Sequence, residues 1–516
     1  MSTKEQSMDN YPDSERLLSK GNIKSYLLTL FGMVGIIVLY SLLAGQSAGI
    51  GPAGGRPAGR QPPGGQPIVG GQPIGGLPGQ SPITGTGLMT MGTWPLWGTL
   101  VFPSLSEIAI AMGILVAFGL AIGYVYKKKG ARPSIYLIVI VGLLFIIATN
   151  LIHGWQTGIE QTIGASSEIF TDALNINSFV DFIRNFEALQ PTLSLHAQTQ
   201  PPGAVLAIYF LYLILGDPSL MAIGLSIIAG IGSAFFLRGI LKRLFDEDSA
   251  RYAVFLYLIL PAVQVYYLAN IYALVATLVL GVLYFYLYPD RRISAVGTAV
   301  SLFLLTFITF LSVFMVFFLF IYEILNANSE TKASGTIQRL TATIQHIKYP
   351  LFLSLCVAAV YGLLYVTLGF NYLGAFFYAS YLENPNGFML LANPLQYISS
   401  RAQNVLDIVI FFGPVLSVLA FRGLGLLRED AAENFASSKK YNLVLAALIA
   451  LSLLFLAGAP KKGETARICM FFLPFLLIPV LTYIRKTKMS NRDKIILLLL
   501  VFGQAVFLQL IGLWLW

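Results

Sequence analysis

The stretch SIYLIVIVGLLFIIATNLI, at residues 134–152, contains no charged side chain. A helix of about 20 apolar residues crosses the hydrocarbon core of a lipid bilayer. Runs that qualify, or nearly qualify, recur along the chain at 25–44, 106–126, 203–216, 219–238, 252–268, 272–288, 296–325, 350–368, 405–422, 441–458, 468–484 and 495–515. The sequence therefore predicts an all-α fold, a polytopic membrane bundle of about 13 segments with short interfacial helices in its external loops. The count becomes 14 if the long run 296–325 is a hairpin.

The composition excludes several other classes of protein. Of the 516 residues, 56% are hydrophobic and 11% are charged, and the mean hydropathy is +0.74. Because soluble proteins average about 25% charged residues, a soluble enzyme, a disordered scaffold and a disulfide-stapled secreted domain are excluded. The net charge of +9 comes with short basic loops such as 127–132 and 485–494, which set orientation in a membrane. We expect no nucleic-acid partner.

The basic residues also predict the orientation, because lysine and arginine accumulate in cytoplasmic loops. The predicted cytoplasmic segments are 1–24, 127–132, 326–349, 423–440 and 485–494, and the predicted external loops are 45–105, 153–200, 369–404 and 459–467. Simple alternation of segments would leave five further basic residues outside, namely Lys242, Arg243, Arg251, Arg291 and Arg292. They move inside if 203–216 is re-entrant and 296–325 is a hairpin, and we favour that version slightly.

A tract rich in glycine and proline at 45–88 divides the chain, because such a sequence buries too little apolar surface to order itself. Five parts follow. They are a cytoplasmic tail at 1–24, a first membrane anchor at 25–44, an external flexible linker at 45–105, a second membrane segment with a basic turn at 106–132, and the body at 133–516.

Polar side chains concentrate in three of the predicted external loops. In the first, Glu168 and Asp172 have helical i,i+4 spacing and precede an amphipathic stretch and the sequence HAQTQPPG at 196–203. The second contains Tyr372, Tyr378, Tyr381, Glu383 and Arg401. The third is dense in charge, with Lys461, Lys462, Glu464 and Arg467. Its three cations are suited to a phosphate at the membrane interface.

The size of these loops limits the kind of donor that an enzyme of this class can use. The longest loop with a structure-forming composition, 153–200, has 48 residues, whereas a nucleotide-binding α/β domain needs well over about 100. No phosphate-binding glycine motif follows a strand pattern. If the chain transfers a group from an activated donor, the membrane itself must present that donor, and a lipid phosphate is the natural candidate.

The order of these features resembles the GT-C glycosyltransferases, in particular a prokaryotic group with an H-x-x-T-H-P-P-G-like motif. HAQTQPPG carries the resemblance, and GETAR at 463–467 is similar to an E-x-x-R stretch near the C-terminus of some such proteins. The resemblance covers about 133–516. Gln200 stands where a histidine is expected, and Asn270 stands where such proteins often carry an acid.

The resemblance implies transfer of a hexose or pentose from a polyprenyl-phosphate sugar to an acceptor hydroxyl, with inversion. Asp172 would be the catalytic base and Glu168 its alternative, while the donor phosphate would bind His196, Lys461 and Arg467. Candidate contacts to sugar or acceptor are Gln198, Tyr372, Arg401 and Glu464. We expect no metal ligands, although some relatives use a divalent metal as cofactor. The partners would be the donor and membrane lipids, in a multi-pass cell-membrane protein whose site faces outside.

Simpler roles exist for the same residues. His196 can cap the segment that follows it, Arg467 can extend to the membrane surface, Glu464 can pair with Arg467, and the tyrosines suit an interfacial aromatic belt. The alternative function is a lipid-linked sugar flippase or transporter, which would require ionisable residues in mid-membrane and internal repeats. A third is a non-catalytic assembly partner.

Overall fold

The computed structural model describes residues 17, 22–29, 31–32, 99–126, 133–164, 168–331, 335–460 and 464–514. The glycine and proline tract, the basic turn 127–132, most of the first anchor and Lys461 lie outside these residues. The parts predicted before residue 99 therefore stay predictions.

Helices make up almost all of the described chain. They are α1 (Leu105–Val125), α2 (Ile135–Asn150), α3 (Gln161–Gly164), α4 (Glu168–Leu174), α5 (Phe179–Arg184), α6 (Phe186–Leu189), α7 (Leu195–Gln198), α8 (Pro202–Leu215), α9 (Pro218–Leu244), α10 (Glu247–Leu258), α11 (Pro261–Tyr266), α12 (Ile271–Tyr286), α13 (Arg291–Ile308), α14 (Val313–Glu330), α15 (Thr336–Leu368), α16 (Tyr372–Glu383), α17 (Met389–Ala392), α18 (Pro394–Phe412), α19 (Pro414–Glu433), α20 (Phe435–Leu456), α21 (Thr465–Ile468), α22 (Leu473–Lys486) and α23 (Asn491–Ile511).

Short elements complete the fold. Four are 3-10 turns at Leu151–His153, Gln190–Thr192, Phe310–Ser312 and Met470–Phe472, and one is a π-helical turn at Gln156–Glu160. Two strands of two residues each, β1 (Thr99–Leu100) and β2 (Gly512–Leu513), pair antiparallel. The predicted all-α class is confirmed.

Eight of the described helices are long and apolar enough to cross a membrane, namely α1, α2, α9, α13, α14, α15, α20 and α23. A ninth span results if α18 and α19, which meet at an angle of 101°, form one broken segment. The chain is a multi-pass α-helical membrane protein.

The predicted count of about 13 includes apolar runs that the structure folds differently. Helices α8 and α12 are shorter than the spans, and run 252–268 is broken between α10 and α11, where Pro261 begins a new helix. Nearly all of residues 250–263 are buried inside the protein. Their apolar character reflects core packing, which composition does not distinguish from contact with lipid.

The favoured version of the topology requires the basic residues after α9 to lie on the same side of the bundle as the other basic loops. The guanidinium group of Arg251 donates to the backbone carbonyl of Pro133 at 2.9 Å, and Arg485 forms an ion pair with Asp246. The loop after α9 therefore lies beside segments that flank the basic loops 127–132 and 485–494.

The run 296–325 forms two helices that reverse direction near Thr309. At one end, Tyr286 donates to Glu323 at 2.5 Å, and the hydroxyl groups of Ser294 and Tyr349 lie 2.6 Å apart. Because Ser294 lies near the start of α13 and Glu323 near the end of α14, these ends share one side of the bundle. The predicted hairpin is present.

Helix α8 begins and ends on the same side of the bundle. It begins at Pro202 beside the pocket described below, and Ser226, in the first half of α9, donates to the backbone carbonyl of Tyr267 on the same side. Only Gly216 and Asp217 connect the two helices, and Gly216 has φ +67°, which favours glycine. No crossing therefore lies between residues 202 and 218, as predicted for a re-entrant segment.

Helix α1 packs within the bundle. The ring of Phe118 stacks on that of Phe502 in α23 with centroids 3.8 Å apart, and its edge contacts Phe145 in α2 at 5.1 Å. The pairing of β1 with β2 adds a second contact between these distant parts of the chain. A boundary at residue 133 stays a prediction about domain organisation.

Candidate functional site

A cavity of about 940 Å³, measured up to its open mouth, lies at the end of the bundle where α8 and α12 begin. Its walls come from the loop between α2 and α8, the turn between α11 and α12, the start of α21 and the end of α23.

The HAQTQPPG motif forms one wall of the cavity, which His196 and Gln200 line. The Nε2 group of Gln200 donates to the hydroxyl of Tyr272 at 3.0 Å. Pro202 begins α8, where its missing N–H costs nothing. Gly203 lies so close to α13 that a Cβ atom would be 2.2 Å from the backbone oxygen of Phe307. Pro202 and Gly203 therefore fix the position of α8, and His196 and Gln200 face the cavity.

Arg467 reaches the same cavity from α21. Its side chain is only 7% exposed, and its Nη2 atom lies 2.7 Å from a carboxylate oxygen of Glu464. The guanidinium carbon lies 5.8 Å from the centroid of the Tyr272 ring. Glu464 thus forms the ion pair that the simpler sequence interpretation suggests, and Arg467 remains a wall of the pocket.

Two buried side chains of α18 hold the segment that carries Arg467. The Asp407 carboxylate accepts a hydrogen bond from the backbone N–H of Ala466 at 2.7 Å. Asn404 accepts one from the Thr465 hydroxyl at 2.8 Å and donates to the carbonyl of Pro460 at 3.0 Å. Both side chains are fully buried. Neither residue is among the sequence predictions. The acid inside the apolar run 405–422 could have indicated a functional position, since such residues are rare in membrane segments.

The turn before α12 completes this side. Asn270 lines the cavity and accepts a hydrogen bond from the backbone N–H of Tyr272 at 2.9 Å, which caps the helix. The preceding residue, Ala269, has φ +60°, a conformation uncommon for a residue other than glycine. The neutral Asn270 thus acts as a helix cap where the resemblance leads us to expect an acid.

The predicted base, Asp172, lies next to the motif and outside the residues that line the cavity. Its carboxylate accepts hydrogen bonds from the backbone N–H of Ser194 at 3.1 Å and from the Ser194 hydroxyl at 2.5 Å. One turn earlier on α4, Ile169 lines the cavity. Asp172 therefore fixes the start of α7, two residues before His196. Glu168 begins α4, and its side chain lies outside the described part of the structure.

Three other predicted contacts lie away from the cavity. Gln198 donates from Nε2 to the carbonyl of Leu193 at 2.5 Å. Arg401 donates to carbonyls just after α20, at 2.5 Å to Ala459 and 2.6 Å to Pro460. Tyr372 packs on the ring of Tyr361 with centroids 4.3 Å apart. Their predicted roles toward sugar or acceptor stay predictions.

The opposite wall has no counterpart in the sequence predictions. His153 lies between two acceptors, with Nδ1 at 2.8 Å from Glu107 and Nε2 at 2.6 Å from the backbone carbonyl of Gln509. Asn150, Gln509 and Trp514 line the cavity beside it. His153 and Gln509 are 356 residues apart in sequence, so no local motif indicates their contact.

Among the described residues that line the pocket, His153 and His196 are the only histidine, cysteine, aspartate or glutamate side chains. Among the described residues, no three His, Cys, Asp or Glu side chains are grouped as metal ligands. Both ring nitrogens of His153 are engaged, and Glu464 is paired with Arg467.

Neither a protein-family model nor a curated protein matches the sequence. Among solved structures, the chain is similar to the oligosaccharyltransferase of Archaeoglobus fulgidus in complex with Zn and sulfate. The identity is 13% over 73% of this chain and 53% of the other, with a TM-score of 0.47. The form of that enzyme tethered with an acceptor peptide is 13% identical over 73% of this chain and 55% of the other, with a TM-score of 0.46. The chain spans about half the length of these proteins, and at TM-scores below 0.5 the likeness by itself establishes neither fold nor activity.

Proposed function

We propose that this protein is a membrane glycosyltransferase of the GT-C type, which moves a sugar from a polyprenyl-phosphate donor to an acceptor hydroxyl. One observation carries the proposal. His196 in HAQTQPPG and Arg467 in GETAR lie far apart in sequence and line the same cavity. A cavity that the cationic Arg467 lines at one end of an apolar bundle suits a phosphate whose lipid chain stays in the membrane.

The topology supports a position of the cavity on the external side of the membrane. The cavity lies at the end of α12 opposite to Tyr284, whose carbonyl accepts from Arg243 at 2.7 Å. Since the loop after Arg243 lies beside the basic segments, the positive-inside rule puts that loop in the cytoplasm. The cavity then opens on the external side of the cell membrane.

The proposed reaction needs one base and one group of cations. The base removes the proton of the acceptor hydroxyl while its oxygen attacks the anomeric carbon. The bond from that carbon to the phosphate oxygen breaks on the opposite face, so the anomeric centre inverts. Arg467 and His196, with Lys461 from the adjoining segment, stabilise the negative charge on the departing polyprenyl phosphate.

Asp172 is the proposed base and Glu168 the alternative. Asp172 lies on the helix whose Ile169 lines the cavity, and it contacts Ser194 in the segment leading to His196. A bound acceptor hydroxyl has to replace Ser194 as its partner. Hydrogen bonds of catalytic groups often reach their working geometry only with substrate bound.

The test uses purified protein in lipid, a panel of polyprenyl-phosphate sugars and the variant Asp172→Asn. We expect sugar release or transfer to fall by about 100-fold or more, the usual contribution of a general base, while the thermal unfolding midpoint stays unchanged. Asp181→Asn is the matched control, because Asp181 belongs to the same loop and its side chain is 62% exposed.

Each other outcome has a definite meaning. Full turnover in Asp172→Asn removes Asp172 as the base and shifts the role to Glu168. No turnover with any donor, together with movement of the lipid-linked sugar across a vesicle membrane, replaces the transferase with the flippase.

A further inference from the structure

Two glutamine side chains line the cavity from different walls, Gln200 at the motif and Gln509 at the end of α23. Each uses its Nε2 group within the protein. Gln200 donates to the Tyr272 hydroxyl at 3.0 Å, and Gln509 donates to the Asn150 side chain at 3.0 Å. Each also has its Oε1 atom buried, and the described part of the chain offers neither oxygen a hydrogen-bond partner.

Elsewhere in the bundle, Gln264 is a buried glutamine whose two amide atoms both have hydrogen-bond partners. Gln264 is fully buried and donates from Nε2 to the Leu258 carbonyl at 2.7 Å. Its Oε1 atom accepts from the Thr149 hydroxyl at 3.1 Å. A buried acceptor without a partner costs free energy, so two such oxygens in one cavity indicate that something else supplies their hydrogen bonds.

The chemistry of the two oxygens selects the class of ligand group. An amide oxygen only accepts hydrogen bonds, so it cannot bind a phosphate oxygen, which also accepts. A sugar hydroxyl is a donor and fits both positions. Both oxygens lie beneath the cavity surface, so a ligand reaches them only when the amide turns about χ3. That turn also breaks the Nε2 hydrogen bond, which the ligand then has to replace. Arg467, by contrast, is a cation and suits the phosphate.

We propose that Gln200 and Gln509 form a sugar subsite, in which each Oε1 atom accepts a hydrogen bond from a different hydroxyl of the donor sugar. Arg467 and His196 then contact the phosphate that links the sugar to its lipid. The inference rests on the proposed function, because it takes the donor class from it. It also gives a role to Gln200, which stands where the resemblance leads us to expect histidine.

The test compares the affinities of two lipids for the purified protein in lipid nanodiscs. One is polyprenyl phosphate, and the other is the same lipid phosphate carrying mannose or glucose. The variants are Gln200→Met and Gln509→Met, which keep the length of the side chain and remove both the Oε1 acceptor and the Nε2 donor. Gln504→Met is the matched control, since Gln504 lies on the same helix, bonds to the Ile410 carbonyl at 2.6 Å and does not line the cavity.

We expect each cavity variant to bind the hexose-linked lipid about 5- to 10-fold more weakly, the effect of one lost hydrogen bond. Their affinity for polyprenyl phosphate should change less than about 2-fold. The control Gln504→Met should leave the affinities for both lipids unchanged. Thermal unfolding checks that each variant is folded. Gln509→Met leaves the bond to Tyr272 intact, so it carries the test alone if Gln200→Met unfolds.

Two results overturn the subsite. One is an equal loss of affinity for both lipids, which places the glutamines at the phosphate or in the scaffold. The other is unchanged affinity for the hexose-linked lipid. Both leave the transferase proposal standing, whereas an unaltered protein that binds neither lipid contradicts the proposed function itself.

Discussion

At the scale of single residues, Asp407 affects the pocket without lining it, because it positions the segment that carries Arg467. Its carboxylate is fully buried and holds the backbone of Ala466, directly before Arg467. Loss of this bond frees the segment that aims the guanidinium group at the cavity. Asp407 is therefore a positioning residue, whose effect on the donor passes through Arg467.

Replacement of Asp407 by leucine should lower kcat/KM for the lipid-linked donor by about 10- to 100-fold, since a buried N–H left without its partner costs about 1–3 kcal/mol. Asp407→Asn should lose less, because its amide oxygen still accepts from Ala466. Steady-state kinetics of both variants measures this order. A leucine variant with the turnover of the unaltered protein would show that Arg467 needs no such support.

Local sequence indicated only part of the site at this scale. His196 and Arg467 belong to motifs and both line the cavity. His153, Asn404 and Gln509 were missed because their partners lie far along the chain, as with the 356 residues between His153 and Gln509. Such contacts depend on how helices pack, and a motif of eight residues contains no information about that.

At the scale of elements, the approach of α8 to α13 is the most sensitive contact near the motif. An alanine Cβ at position 203 would lie 2.2 Å from the carbonyl oxygen of Phe307, which is backbone and cannot turn away. Helix α8 would have to move, and Gln200 with it.

Gly203→Ala should destabilise the protein by about 1–3 kcal/mol, as overpacking does, and should reduce donor turnover. Gly119→Ala in α1 is the control, because nothing lies within 4 Å of its added Cβ atom. Thermal unfolding in detergent and donor turnover measure the two effects. Equal unfolding midpoints for both variants would contradict the close packing of α8.

The all-α fold class was predictable from the apolar runs, whereas the number of membrane crossings was not. A run such as 252–268 has the composition of a span, yet its helices α10 and α11 lie almost wholly inside the protein. The hairpin at 296–325 was predictable because Arg291 and Arg292 conflicted with simple alternation. The positions of basic residues thus indicated a hairpin that hydropathy alone did not distinguish from a single long segment.

At the scale of the whole molecule, α1 and α23 form one packed unit around Phe118. Its side chain is fully buried among Phe145, Phe255 and Phe502. Helices that lie far apart in the sequence therefore share one aromatic core.

Phe118→Ala should cost about 3–5 kcal/mol, the usual loss for a buried aromatic residue, and should lower the thermal unfolding midpoint. Tyr124→Ala is the control on the same helix, because Tyr124 is 70% exposed. A Phe118 variant as stable as the control would support the sequence-based boundary at residue 133, with α1 as a separable addition.

The contact between His153 and Gln509 also sets the timing of biogenesis. The ribosome must add 356 residues after His153 before its carbonyl partner exists, which takes about 20 to 70 s at typical synthesis rates of about 5–20 residues per second. During that interval, His153 lacks the carbonyl partner that Gln509 provides. The half-built protein is therefore exposed to membrane quality control until α23 inserts, and the speed of translation between His153 and Gln509 should affect its yield.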